Sequence, residues 1–146
     1  MTLRPWQLHD PARLLTEIAG TFPLVEGSAL LALVHRPSTD QNLVEVERLR
    51  TPADIEDWQQ ASEEICELMQ RFAIPERPHR PEHAGVTVVV RDGLCVLGPN
   101  EGQWYRAWRY SNHLRDAFDG GLILVTPHGW VDVLSDAAGL SPAMAA

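Results

Sequence analysis

The sequence predicts an α+β fold: a largely antiparallel sheet of about five or six strands with three helices, in the order α-ββ-α-ββ-α-ββ. Three observations carry it. Apolar runs of strand length recur at 29–34, 43–49, 86–91, 94–97, 122–126 and 130–134. Stripes at helical spacing fill the intervals near 11–22, 51–72 and 101–118. Turn signals join the strand runs in pairs, and a hairpin imposes antiparallel pairing. Residues 1–146 read as one α+β domain, with 135–146 small and polar enough to fray.

Asp10-Pro11 is an N-cap followed by proline at the first helical position, and Leu14, Leu15, Ile18 and Phe22 then share one helix face. Ala29 to Val34 suits a buried strand, and Leu43 to Leu49 a second with partial alternation. The stretch from His35 to Asn42 has loop composition. Thr51-Pro52-Ala53-Asp54 predicts the start of the second helix, whose stripe is Ile55, Trp58, Ser62, Ile65, Met69 and Phe72. That stripe reads as core, so no site is assigned to it. Pro75 stops the helix, and Glu76 to His83 is broken by prolines. Val86 to Arg91 is a strand by β-branching, with Asp92-Gly93 turning it into Leu94–Leu97. Gly120-Gly121 ends the third helix; Leu122–Thr126 and Trp130–Leu134 flank the turn Pro127-His128-Gly129.

Composition limits the function classes. The formal net charge is −8, which disfavours non-specific attraction to nucleic acid or to an anionic membrane surface. The imbalance is uneven: residues 1–75 hold 6 Arg against 12 acids, and residues 76–146 hold 6 Arg against 8. Nucleic acid would therefore have to be met through a local basic face. There is no lysine, so arginine positions carry more information than arginine identity. Cys66 and Cys95 lack metal or redox spacing and read as buried thiols. No apolar run approaches the roughly 20 residues of a membrane span, no signal-peptide core is seen, and a cytoplasmic location is the expectation.

The segment from Trp104 to Arg115 holds four of the ten aromatic residues and a quarter of the arginines. Helical periodicity assigns Trp104, Ala107, Trp108, Ser111, Leu114 and Phe118 to the sheet-facing stripe. Tyr105, Arg106, Arg109 and His113 remain on outer faces, where aromatic area and guanidinium donors make a binding surface. Arg77, His79, Arg80 and His83 in the proline-broken loop join them as binding candidates. Arg106 and His113 share the loose Arg-x(4–6)-His spacing of certain helical ribonucleases, although this chain has strands.

Four histidines, His79, His83, His113 and His128, lie in the C-terminal half, but their spacing matches no metal site and none is assigned. Glu45 and Glu47 alternate onto one strand face as ordinary charge unless a histidine or arginine approaches. No phosphate loop, dinucleotide fingerprint, nucleophile elbow or zinc-hydrolase motif occurs, so no cofactor is expected.

The leading expectation is a small cytoplasmic accessory or regulatory binding protein that uses the aromatic–arginine helix face, with a protein partner or self-association. The alternative is a hydrolase of the phosphodiesterase or ribonuclease kind. There His113 or His128 would act as acid/base, and Arg106 or Arg109 would stabilise anionic charge.

Overall fold

A computed structural model describes residues 2–146. Three helices, α1 (Pro11–Ala19), α2 (Trp58–Arg71) and α3 (Pro99–Arg109), pack on six strands. These are β1 (Ala29–His35), β2 (Asn42–Arg48), β3 (His83–Val90), β4 (Ala117–Thr126), β5 (Gly129–Asp132) and β6 (Ala138–Gly139). The spatial order is β2-β1-β3-β4-β5-β6, antiparallel throughout except for the parallel pair β3·β4. The fold is α+β with a largely antiparallel sheet, as the sequence predicts.

Both faces of the sheet are covered, which explains why β1, β3 and β4 read as unbroken apolar runs. Leu30, Ala32, Val34, Val86, Val88, Ile123 and Val125 pack with Leu14, Leu15 and Ile18 of α1. The opposite face, with Leu31, Leu33, Val89, Leu122 and Leu124, is covered by α2 and α3 through Ile65, Met69, Trp104 and Trp108. Helix α1 starts as expected, with the Asp10 carboxylate accepting from the Arg13 N–H at 3.1 Å.

The hairpin expected at Asp92-Gly93 does not form, and Leu94–Leu97 is a loop. Both flanks of β3 are already taken, by β1 and β4. The loop instead wraps around the Arg91 guanidinium, which donates to the carbonyls of Asp92, Leu94 and Val96. Arg91 is fixed in turn by the buried Glu101 carboxylate at 2.7 Å. Chain order is therefore α-ββ-α-β-α-βββ, and α3 is the crossover of a parallel β3-α3-β4 unit.

The second helix begins at Trp58, capped by Asp57, and not at Thr51-Pro52. The backbone of 51–55 has other partners. Thr51 N–H and hydroxyl both donate to Glu64, Ala53 N–H donates to Gly27, and Ile55 N–H donates to Asn100. The Ala53 carbonyl accepts from Asn100 Nδ2 and from Trp104 Nε1. The third helix stops at Arg109 and not near Gly120. Asn112 and Leu114 take left-handed backbone (φ 48° and 61°), which a helix excludes, and Ala117–Gly121 extends β4. His113, Leu114 and Phe118 consequently leave the helix. The C-terminal segment, where fraying is expected, carries β6 and returns to the body: Ala145 N–H donates to Leu24, and Met144 packs beside the α1 core.

Two expectations follow. A Cβ at Gly85 would lie 2.5 Å from Cη2 of buried Trp108, so Gly85→Ala should cost about 1–3 kcal/mol by overpacking, read by chemical denaturation. Burial pushes the Glu101 carboxyl up, but hydrogen bonds from Arg91, Gly98 and Asn100 outweigh it and hold the group below its ordinary 4.5. A carboxyl depressed by folding contributes stability above its unfolded pKa and loses it as pH falls through its folded pKa. Glu101→Gln should thus lower Tm at pH 7, and wild type and variant should converge below pH 4.5. A gap that stays constant down to pH 3 would contradict this assignment.

Candidate functional site

The aromatic–arginine segment is placed by Trp108. Its indole N–H donates to Thr87 Oγ1 at 2.7 Å, and its ring lies over Gly85. Trp104 is also fully buried, so the two tryptophans of the helix are core, as their spacing predicts. The chain then leaves α3 at Tyr110 beside the N-terminus of α2. There the Arg106 guanidinium stacks 4.2 Å above the Trp58 ring, Trp58 and Tyr110 have ring centroids 5.4 Å apart, and Arg109 lies 5.8 Å from the Tyr110 ring.

Below this cluster runs an open groove of about 520 Å³ between α2 and the turn after α3. Trp58 and Tyr110 form its aromatic end; Gln59, Ser62, Gln70 and Ser111 offer hydrogen-bonding groups; Glu63 and Glu67 offer carboxylates. No cation lines it. Cys66 also faces it, and burial pushes its thiol up, away from the nucleophilic thiolate form. Gln70 closes the groove and opens a second recess of about 310 Å³, lined by Glu76, Arg77, His113, Leu114 and Arg115. The two recesses share Gln70, and Tyr110 and Leu114, each more than half exposed, give each of them an apolar side.

His113 sits at this junction as a buried structural residue, 2% exposed. Its Nδ1 accepts the Arg115 N–H at 3.0 Å, which leaves the proton on Nε2 to be donated to Asp119 Oδ2 at 3.2 Å. Its ring meets Trp108 edge to face. Neither ring nitrogen is free for proton transfer to a ligand. Asp116, also buried, accepts the His79 N–H and lies 3.7 Å from Arg77 Nε, tying the proline-broken loop to the start of β4.

The sequence-predicted residues divide into groups. Arg106 and Arg109 frame the groove, while Arg77 and His113 line the adjoining recess. Tyr105 stands apart: burial, then the nearby Asp132 carboxylate, push its phenol up. Arg80 lines a separate shallow recess with Arg36 and Phe118. His83 pairs with His35 across β1 and β3. His128 lies in the β4–β5 turn, at the far end of β4 from Asp119, where the His113 ring is bonded, about 23 Å away at the usual strand rise. Five of the six histidines (His9, His35, His79, His83 and His113) lie at the end of the sheet where β3 and β4 begin. Among the described residues no three metal-ligating side chains gather. Glu45 and Glu47 share the exposed face of edge strand β2, opposite Leu33 and Leu31.

Sequence spacing does not single out Trp58, Tyr110, Glu63 and Gln70, which line the groove. The sequence assigns Trp58 to a core stripe because Thr51-Pro52 reads as a helix start six residues earlier; Asp57 as cap puts Trp58 in the first turn, where only one side is covered. His113→Ala should therefore cost about 2–4 kcal/mol, as loss of a buried, hydrogen-bonded ring. His128→Ala, on an exposed turn, should change stability by less than about 0.5 kcal/mol. Urea titration of both variants checks the contrast.

Among the described residues no helix is long and apolar enough to cross a membrane. No family model, no curated protein and no solved structure matches this chain.

Proposed function

We propose that this chain is a binding protein whose contact surface is the groove between α2 and the turn after α3, acting as an accessory or regulatory module in the cytoplasm. Its occupant is a segment of a protein partner that carries a basic side chain beside an apolar one. The Trp58–Tyr110–Arg106 cluster at the mouth of the groove supports this reading. An exposed tyrosine beside a half-buried tryptophan braced by arginine is a composition on which binding energy concentrates, because such rings offer large area with little rotamer entropy to lose.

Charge complementarity sets the partner's chemistry. Glu63 lines the groove without an ion-pair partner among the described residues, Glu67 lies 3.7 Å from Arg50 Nη2, and the chain is acidic as a whole. The Glu63 carboxylate and the overall charge attract a basic segment and repel an acidic one. Tyr110 and Leu114 then cover an apolar neighbour. Binding is favoured over hydrolysis because both nitrogens of His113 are engaged and His128 stands at the far end of the sheet.

The test is selection of peptides from a random library displayed on phage, with the full chain immobilised. Enriched sequences should combine Arg or Lys with an aromatic or aliphatic residue. Their affinity should fall about thirtyfold in Tyr110→Ala, the scale of a hot-spot residue. It should fall comparably in the double variant Arg106→Ala with Arg109→Ala, while Tm stays within about 2 °C because these groups are exposed. Enriched peptides that bind both variants at wild-type strength would overturn the assignment. A homodimer dissociated by Tyr110→Ala would also overturn it, by making the occupant a second copy.

A further inference from the structure

We propose that His35 and His83 form a two-imidazole chelate for an exchangeable divalent cation of the zinc, nickel or copper class. The two residues are 48 positions apart in sequence, and the antiparallel register of β1 and β3 sets them directly opposite each other. Residues so paired project from one face of the sheet with their Cβ atoms about 5 Å apart. Here the ring centroids are 4.7 Å apart and the planes are tilted by 41°, so the rings converge without stacking face to face.

Two nitrogens on one tetrahedral cation lie about 3.3 Å apart, from metal–nitrogen distances near 2.05 Å. Imidazoles with centroids 4.7 Å apart can bring one nitrogen of each to that spacing by side-chain rotation. Among the described residues the pair also lacks the hydrogen bonding that normally accounts for a histidine in such a place. His83 Nδ1 is buried without a hydrogen-bond partner among the described residues. His35 is one-third exposed, which gives a cation a path from solvent.

Glu82 supplies a negative charge at the rim, its Oε2 lying 3.8 Å from His35 Nε2. Its side chain is 68% exposed and can turn toward a bound ion without disturbing the strand. With two imidazoles from the protein, the remaining coordination positions fall to solvent, and affinity follows the preference of nitrogen sites for copper over nickel and zinc. This site is independent of the groove: it rests on two strands, whereas the groove rests on two helices.

The test uses the full chain stripped of metal by EDTA, then titrated calorimetrically with Zn²⁺, Ni²⁺ or Cu²⁺ alone. One cation should bind per chain, most tightly for Cu²⁺, and His35→Gln and His83→Gln should each weaken it at least tenfold. His128→Gln and His79→Gln should leave the affinity unchanged. Substoichiometric Cu²⁺ should broaden the ring proton resonances of His35 and His83 before those of the other histidines, a reading on the wild-type chain that no misfolded variant can confuse. Broadening that begins at His9, His79 or His128, or an affinity unmoved by both pair variants, would overturn the proposal. So would an absence of binding up to millimolar cation.

Discussion

The seating of Trp108 on β3 is the contact on which the rest of the helix layer depends. The indole has room only because residue 85 is glycine, and it is oriented only because Thr87, on the same strand face, accepts its N–H. A buried indole donor left without a partner would cost about 1–3 kcal/mol, so ring and hydroxyl fix one another. With α3 held there, its last turn must emerge beside α2. Arg106 then meets Trp58, Tyr110 falls at the groove mouth, and His113 comes back against the edge of the same indole. One contact between helix and strand thereby positions three features that are scattered in sequence.

Around it, a few buried carboxylates do the work that regular secondary structure leaves undone. Glu64 gathers the backbone N–H groups of Arg50 and Thr51 together with the Thr51 hydroxyl. Burial pushes its carboxyl up, yet these donors outweigh the effect and keep it below the ordinary carboxylate value. Glu101 does the same for Arg91 and for the N–H of Gly98 ahead of α3. Each converts a stretch with helix or strand propensity into an ordered loop by offering its donors a better partner. Asp132 is the contrasting case. Burial raises its carboxyl above the ordinary range, and only partly offsetting it are donors such as the Ser135 hydroxyl at 2.5 Å.

These carboxylates also explain what was legible in the sequence. The fold class could be read because it follows from periodicity, and periodicity reflects burial: Leu30–Val34, Val86–Val90 and Leu122–Val125 are apolar because helices cover both faces of their sheet. The Leu94–Leu97 loop was not legible. Its alternation and Asp-Gly turn are local signals for a hairpin, and what cancels them is remote: β4 beside β3, and Glu101 holding Arg91. The start of α2 misled for a similar reason, since Thr51-Pro52 is a sound helix start whose donors are claimed by Glu64 thirteen residues later. At the candidate site, Arg106 and Arg109 were legible as outward positions on a helix. Trp58 was not, because its exposure depends on a helix boundary.

His35 shows the limit of sequence spacing most clearly. Four histidines crowd into the C-terminal half, yet the partner that comes nearest to one of them is His35, which reads as the first residue of a loop. Register decides this. A shift of one residue between β1 and β3 would send the two side chains to opposite faces, and that register is set by the apolar pattern of Leu31, Leu33 and Val89 facing α2 and α3. Burial of the hydrophobic face thus fixes the alignment of two polar rings at its end. Strands buried on both faces are also the stiffest part of such a domain, so a pair carried by them is held in place before any ligand arrives. The groove has the opposite character, lying on helix surfaces with exposed Tyr110 and Leu114 side chains that are free to adapt. The fold therefore separates a preorganised polar pair on its strands from an adaptable aromatic surface on its helices, and each can be altered without disturbing the other.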